Sequence, residues 1–468
     1  MYDAYYSMVK GSDEVLNAGP EKKHPAVHRP VRTIATSFVI VILVGAVLLM
    51  MPFSSRDGAF TPFVDALFTA TTATCVTGLV VFDTYLKWSA IGQAVILLLI
   101  QIGGLGLLTI VTFFNIALRR KLGLRGVHMA SETANALDVV DAPKLIKTIM
   151  VVSFSCEAIG ALLLMAHFVP KYGREGVFMS VFLAVSAFCN AGIDLLGREG
   201  AYASLTNYGD NPYVLFIIMA LIIVGGLGFL VWQDLFHYRK TRKLLLHTRI
   251  VLVVSGILIL SGTILFLLFE WDNPGTLAPL SFFEKLLNSM FQSVSSRTAG
   301  FNTVDIGSLK GITKMFMIIL MFIGASPGST GGGIKTPTFA VLIMTVLSVV
   351  LGREETVVFK RRVDKAIVYK ALAIAFFSIT LVLVATSIIY FTSAETTDGM
   401  NALFESTSAF ATVGLSTGVT TVANLPSKIV LILAMYLGRV GPVSFAIALT
   451  LRQGKRHEVI PDGKITVG

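Results

Sequence analysis

Four short segments carry residue types that could hold a bare cation through the backbone: Val76-Thr77-Gly78, Asn190-Ala191-Gly192, Thr298-Ala299-Gly300 and Thr412-Val413-Gly414. Glycine lacks a Cβ and tolerates dihedrals that let neighbouring carbonyls line up. Rows of carbonyl oxygens that replace an ion's hydration shell are how a potassium filter works. One Thr-Val-Gly, as at 412–414, is ordinary strand or turn in most proteins, and the repetition changes its weight. The four glycines are 114, 108 and 114 positions apart, and a second glycine cluster keeps step with them. Its members are Gly103-Gly104-Leu105-Gly106, Gly225-Gly226-Leu227-Gly228, Gly324-Ala325-Ser326-Pro327-Gly328 and Gly438-Arg439-Val440-Gly441. Near-equal spacing of two motifs marks a fourfold internal repeat.

A short apolar stretch precedes each glycine segment, at 62–74, 177–188, 281–293 and 399–410. A dozen helical residues span about 18 Å, partway through a hydrocarbon core of about 30 Å. Longer apolar runs flank each one: 33–51 and 89–116, 145–168 and 213–235, 250–269 and a run from 313, 366–391 and 427–451. Each unit therefore reads as helix, half-helix, extended loop, helix. The half-helices direct their C-termini to the membrane centre, where the negative dipole end favours a cation. The expected fold is an all-α integral membrane protein of four tandem helix–pore-loop–helix repeats, with eight full spans around one central pore. The boundaries drawn are an N-terminal arm 1–32, repeats at 33–118, 119–238, 239–350 and 351–451, and a tail 452–468.

Composition agrees with a membrane protein. Hydrophobic residues make up 54%, mean hydropathy is +0.77 and charged residues are 14%, against about 25% in soluble domains. The formal charge of +10 is unevenly placed: inner segments hold 24 Lys and Arg and outer ones 8. That asymmetry is the positive-inside pattern, which puts both termini in the cytoplasm and argues against nucleic acid as the reason for the charge. Three cysteines in or beside apolar runs do not form a disulfide framework. The polar stretch before residue 33 does not resemble a cleaved signal peptide. The seven histidines show no metal-ligating spacing, and no nucleophile–base pair stands out.

One apolar span is interrupted at Gly324, Ala325, Ser326, Pro327, Gly328, Ser329, Thr330, Gly331, Gly332, Gly333 and, past Ile334, Lys335. Proline and five glycines suit neither helix interior nor lipid contact, so a broken helix lining a wet cavity is expected. Gly328 and Gly333 have the separation of a phosphate-binding loop, but Ile334 displaces Lys335-Thr336 by one place and no strand precedes them. Ser326, Ser329, Thr330 and Lys335 are the expected hydrogen-bonding side chains of this segment. Arg439 lies inside the last span, where a charge faces a cavity or partner or else snorkels to the inner interface. Glu157 divides evenly between a structural hydrogen-bond partner and a role in ion handling, and Asp234 reads as interfacial. Whether Arg297 pairs with a carboxylate such as Glu405 is open.

Four helix–pore-loop–helix units in one chain, each loop ending in Gly, resemble the KtrB/TrkH/HKT superfamily of potassium transporters, with the bacterial KtrB subunit the best match over 33–451. The resemblance implies that K+ sits against carbonyls of the twelve residues named first. Sodium-selective plant relatives carry Ser where this chain has Gly78, which favours potassium. It implies that 325–335 forms an intramembrane gate and that Arg439 lies beneath the filter and impedes cations. It further implies a KtrA-type cytoplasmic ring that binds ATP or ADP, a homodimer and stimulation by Na+, with no covalently bound cofactor and no enzyme activity. The alternatives are a symporter with broken helices and an integral membrane enzyme.

Overall fold

The computed structural model describes residues 29–117, 142–393 and 397–441. Most of the arm at 1–32, the basic segment at Arg119 to Lys121 and the tail at 452–468 lie outside the described residues. Among the described residues four helices are long and apolar enough to cross a membrane: α1 (Arg29–Met50), α5 (Ala142–Tyr172), α9 (Leu246–Glu270) and α13 (Lys365–Thr392). Each is followed by a short helix of 12 to 15 residues: α2 (Phe63–Cys75), α6 (Arg174–Phe188), α10 (Phe282–Ser295) and α14 (Gly399–Phe410). Local chemistry starts these helices. Pro62 stands before α2, Ser281 and Glu284 form a capping box on α10, and Asp398 accepts from Asn401 N on α14. Gly173, with φ of +61°, turns the chain between α5 and α6.

The second helix of the first three repeats departs from expectation, because it is interrupted rather than continuous. Repeat one has α3 (Ala90–Leu105) and α4 (Leu107–Ala117), and repeat two has α7 (Pro212–Leu227) and α8 (Phe229–Thr241). Repeat three has α11 (Gly311–Phe322) and α12 (Thr336–Val350), and repeat four has α15 (Leu425–Val440). The breaks fall on Gly106 and Gly228, at φ of +83° and +93°, and on the long segment between α11 and α12; α15 ends at Gly441, with φ of +92°. At Gly228 the two halves bend by 93°. Among the described residues, the eight continuous spans expected from hydropathy are therefore four continuous helices, three broken ones and one, α15, that is described only as far as Gly441. Glycine frees the dihedrals at each break, whereas a hydropathy average runs straight through a single glycine.

The other glycines of the second cluster serve close approach. A Cβ on Gly103, Gly225 or Gly438 would strike the carbonyl of Thr74, Phe188 or Phe410, each four residues before Gly78, Gly192 or Gly414. The second helix of these repeats thus lies backbone to backbone on the end of its own short helix. The core is built around the short helices. Nearly every residue of α2 from Asp65 to Cys75 is buried, and Phe182, Phe188, Phe291, Phe404 and Phe410 fill the spaces between them. A helix that ends in mid-membrane needs this enclosure, because lipid cannot satisfy its last carbonyls. Leu43, Leu260 and Phe376 on the long helices face outward. Between α12 and α13 a hairpin pairs β1 (Val357–Val358) with β2 (Arg361–Arg362) through left-handed Phe359 and Lys360.

Candidate functional site: a ring of four glycine segments

At the end of each short helix the chain enters the left-handed region at a residue with a side chain. Val76, Asn190, Thr298 and Thr412 have φ of +57°, +60°, +70° and +52°. Such a conformation is uncommon for a β-branched residue, and here it recurs at four equivalent positions, three times on β-branched side chains. The turn is held by the helix below it. Thr77 N donates to Thr72 O at 2.8 Å, Ala191 N to Ser186 O at 2.7 Å, Ala299 N to Ser295 O at 2.9 Å and Val413 N to Ser408 O at 2.8 Å. Hydroxyls of the same residues brace the far side. Thr72 Oγ1 accepts from Gly78 N at 3.0 Å, Ser408 Oγ from Gly414 N at 3.1 Å, Ser186 Oγ from Ile193 N at 3.1 Å, and Ser295 Oγ donates to Phe301 O. Sequence reasoning missed these four residues. The available signal was a Thr or Ser six places before Gly78, Gly192 and Gly414 and five before Gly300.

The four glycines meet. A Cβ on Gly78 would lie 2.6 Å from Ala191 O and 3.2 Å from the Cα atoms of Gly192 and Gly414. On Gly192 it would lie 2.6 Å from Ala299 O, on Gly300 2.6 Å from Val413 O, and on Gly414 it would strike Thr77 O. Each glycine thus abuts the middle carbonyl of the next repeat, in the order one, two, three, four and back to one. The ring closes, and only hydrogen fits at its four corners. All twelve of the residues singled out from sequence lie in it, and their side chains are buried.

Two inter-repeat contacts stand at the N-terminal ends of the short helices. Lys428 Nζ on α15 pairs with Asp65 Oδ1 on α2 at 2.7 Å, and Lys314 Nζ on α11 donates to Asn401 Oδ1 on α14 at 3.1 Å. Both lysines occupy the fourth position of a second helix and reach the next repeat's short helix.

Beneath the ring lies the glycine-rich segment between α11 and α12. Gly331 packs against Thr298 Oγ1 and Gly332 against Thr412 Oγ1. Thr330 Oγ1 lies 3.2 Å from Phe188 O and 3.3 Å from Asn190 Oδ1. Its neck is drawn together by Gly324 N to Ile334 O at 2.9 Å and Thr336 Oγ1 to Gly324 O at 3.2 Å. The break in repeat two gives it partners: Ser326 N donates to Gly226 O at 3.2 Å, and Phe229 N to Gly328 O at 2.9 Å. Ser329 Oγ donates to Ser326 O at 2.6 Å and Lys335 Nζ to Gly331 O at 2.6 Å. Ser326 departs from expectation, since its hydroxyl is buried without a partner and it holds the segment through its backbone N–H and carbonyl instead.

Arg439, in the last turn of α15, donates to Thr330 O of this segment and to Gly103 O, at 2.5 Å, and Gly104 O, at 3.3 Å. Its guanidinium therefore turns inward onto carbonyls, and the snorkelling alternative is set aside. Arg297 and Glu405 do not pair. Glu405 accepts from Ser416 Oγ at 2.7 Å, from the backbone N–H groups of Thr417 and Thr420 and from the Thr420 hydroxyl, which ties down the chain leaving the fourth segment. Glu157 accepts from Gln101 Nε2 at 3.0 Å, with Cys189 Sγ beside it, joining repeats one and two. Asp234 accepts from Leu245 N at 2.9 Å.

A closed ring of backbone carbonyls at the ends of half-helices, enclosed by apolar helices, defines the class: a pore-loop cation transport protein of the membrane. The chain belongs to the TrkH family, whose model, described as cation transport protein, matches residues 5–458. It is 39% identical over 445 residues to the potassium/sodium uptake protein NtpJ of Enterococcus hirae, covering 94% of this chain and 97% of that protein. It is also 39% identical over 444 residues, with the same coverage, to Ktr system potassium uptake protein B of Bacillus subtilis. The crystal structure of the potassium transporter TrkH from Vibrio parahaemolyticus has the same fold, with a TM-score of 0.68 at 17% identity over 93% of this chain and 86% of that one.

Proposed function

We propose that the protein is the membrane-spanning, potassium-translocating subunit of a Ktr-type uptake system. The observation that carries this is the ring in which each of four glycines abuts the next repeat's carbonyl. On this reading K+ sheds water against carbonyls of Val76 to Gly78, Asn190 to Gly192, Thr298 to Gly300 and Thr412 to Gly414. Hydroxyls of Thr77 and Thr412, buried and without a protein partner, are further oxygen donors beside the path. The segment 324–335 is the gate. It lies against the floor of the ring through Gly331 and Gly332, and Arg439 both latches it and places a cation beneath the filter.

A cytoplasmic ring subunit of the KtrA type, binding ATP or ADP, shifts this gate by binding one state better than the other. The naming of Bacillus subtilis relatives as parts of a Ktr system supports a separate subunit. The basic inner segments form its docking surface, both termini are cytoplasmic, and the protein works as a homodimer with one pore per chain. Sodium stimulates uptake. A second reading, that sodium is itself carried, is favoured by the name of the Enterococcus relative. Flux of labelled K+ and Na+ into proteoliposomes separates them. Potassium entry that sodium accelerates without entering supports the first, sodium entry at a fixed ratio supports the second, and no flux of either ion would overturn both.

A further inference from the structure

Arg297 stands one residue before the third filter segment and has no carboxylate to neutralise it: among the described residues it forms no ion pair. Its side chain runs down from the end of α10 toward the interrupted segment. There Nη2 donates to Thr336 Oγ1 at 3.3 Å, Nη1 donates to Ser255 O on α9 at 3.5 Å, and Nε is buried with no acceptor. Alongside is a small cavity lined by Ile222, Gly226, Ile259 and Ala325 as well as Arg297 itself. A partly buried guanidinium, its Nε wholly enclosed, that is held by two long hydrogen bonds is a costly way to fill space, and an apolar side chain would fill it at less expense. Its position supplies the reason. Thr336 is the first residue of α12 and closes the neck of the segment by donating to Gly324 O at 3.2 Å. A relay therefore runs from Arg297 through the Thr336 hydroxyl to Gly324, joining the third filter segment to the base of the gate.

We propose that Arg297 is a positioning residue that clamps the neck of the gating segment through Thr336, holding it closed beneath the ring. The proposal rests on the reading of 324–335 as the gate and adds a second latch to that of Arg439. Arg439 holds the middle of the segment from repeat four, at Thr330, whereas Arg297 holds its base from repeat three. The clamp is a hydrogen-bond relay rather than an ion pair, so its removal acts on gate position and leaves the carbonyl ring as it was.

The test uses the full-length protein in proteoliposomes, with and without the regulatory ring. Thr336→Val keeps the side-chain shape and removes both hydrogen bonds, and Arg297→Met removes the donor. Each is expected to raise potassium flux in the absence of the ring several-fold, with the potassium-to-sodium ratio at the parental value. The double variant is expected to be no faster than the faster single, because both changes break one relay. A stable Thr336→Val protein with parental flux, or a double variant whose effects multiply, would overturn the clamp. Thr336→Val decides the matter if Arg297→Met does not reach the membrane. Deleting 326–332 in the same assay separates the two claims: a fast deletion beside a parental Thr336→Val sinks the clamp and leaves the gate, while a deletion no faster than the parent sinks both.

Discussion

Gly78→Ser perturbs the ring at a place where the structure sets the size of the effect. The new Cβ would lie 2.6 Å from Ala191 O, so that oxygen must retreat by about 0.4 Å or more before the contact is tolerable. Gly192 and Gly414, 3.2 Å away on either side, leave the side chain little other room. A charge-assisted contact to one carbonyl is worth about 1.5–3 kcal/mol. Each 1.4 kcal/mol or so is a factor of ten, so loss of that ligand would reduce potassium preference by about ten- to a hundredfold. Backbone strain adds roughly 1–3 kcal/mol, because φ at position 78 is +102°. Gly58→Ser controls for strain: φ there is +66°, and nothing lies within 4 Å of the added Cβ. The assay is potassium and sodium uptake in a transport-deficient strain, normalised to protein in the membrane. Gly78→Ser is expected to let sodium compete while Gly58→Ser behaves as the parent. A stably inserted Gly78→Ser protein with parental selectivity would refute the placement of this ring in the ion path.

Three other perturbations probe the supporting parts. Deleting 326–332 should give faster potassium flux that depends less on the regulatory ring, while a deletion of similar length at 200–207 in the outer loop leaves that dependence alone; vesicle flux with and without the ring reads the difference. Arg439→Ala removes the latch to Thr330 O, one charge-assisted hydrogen bond of about 1.5–3 kcal/mol, and should raise uptake velocity at equal protein level, with Arg439→Lys in between. Lys428→Met leaves Asp65 buried and unpaired and should destabilise the protein by a few kcal/mol. The double variant with Asp65→Asn should recover most of that loss in detergent melting, and no recovery would mean that the pair does not clasp the repeats.

The repeat, the half-helices and the glycine at each corner of the ring were legible because they are written in spacing and local composition. Gly399–Phe410 was bounded to the residue, since Asp398 caps one end and the Thr412-Val413-Gly414 turn closes the other. Two kinds of feature were not legible. A break at one glycine, as at Gly106 or Gly228, is invisible to a hydropathy window, because Gly103 and Gly106 look alike in sequence while one makes a close approach and the other turns the chain. Partners far apart in the chain were the second. Arg439 meets Thr330 across 109 positions and Lys428 meets Asp65 across 363, and no local pattern announces either. Arg297 drew attention as a charge, but its target is a threonine hydroxyl rather than a carboxylate. Charge alone suggested the wrong kind of partner.

The central claim is that a dehydrated monovalent cation sits on the axis of the four-glycine ring. Crystals of the protein grown with thallium(I) in place of potassium test it directly, since anomalous scattering locates that ion without reference to the protein's own density. The expected result is an anomalous peak within coordinating distance of carbonyls from all four segments, lost when excess sodium replaces thallium. Full anomalous signal elsewhere with none at the ring would contradict the account.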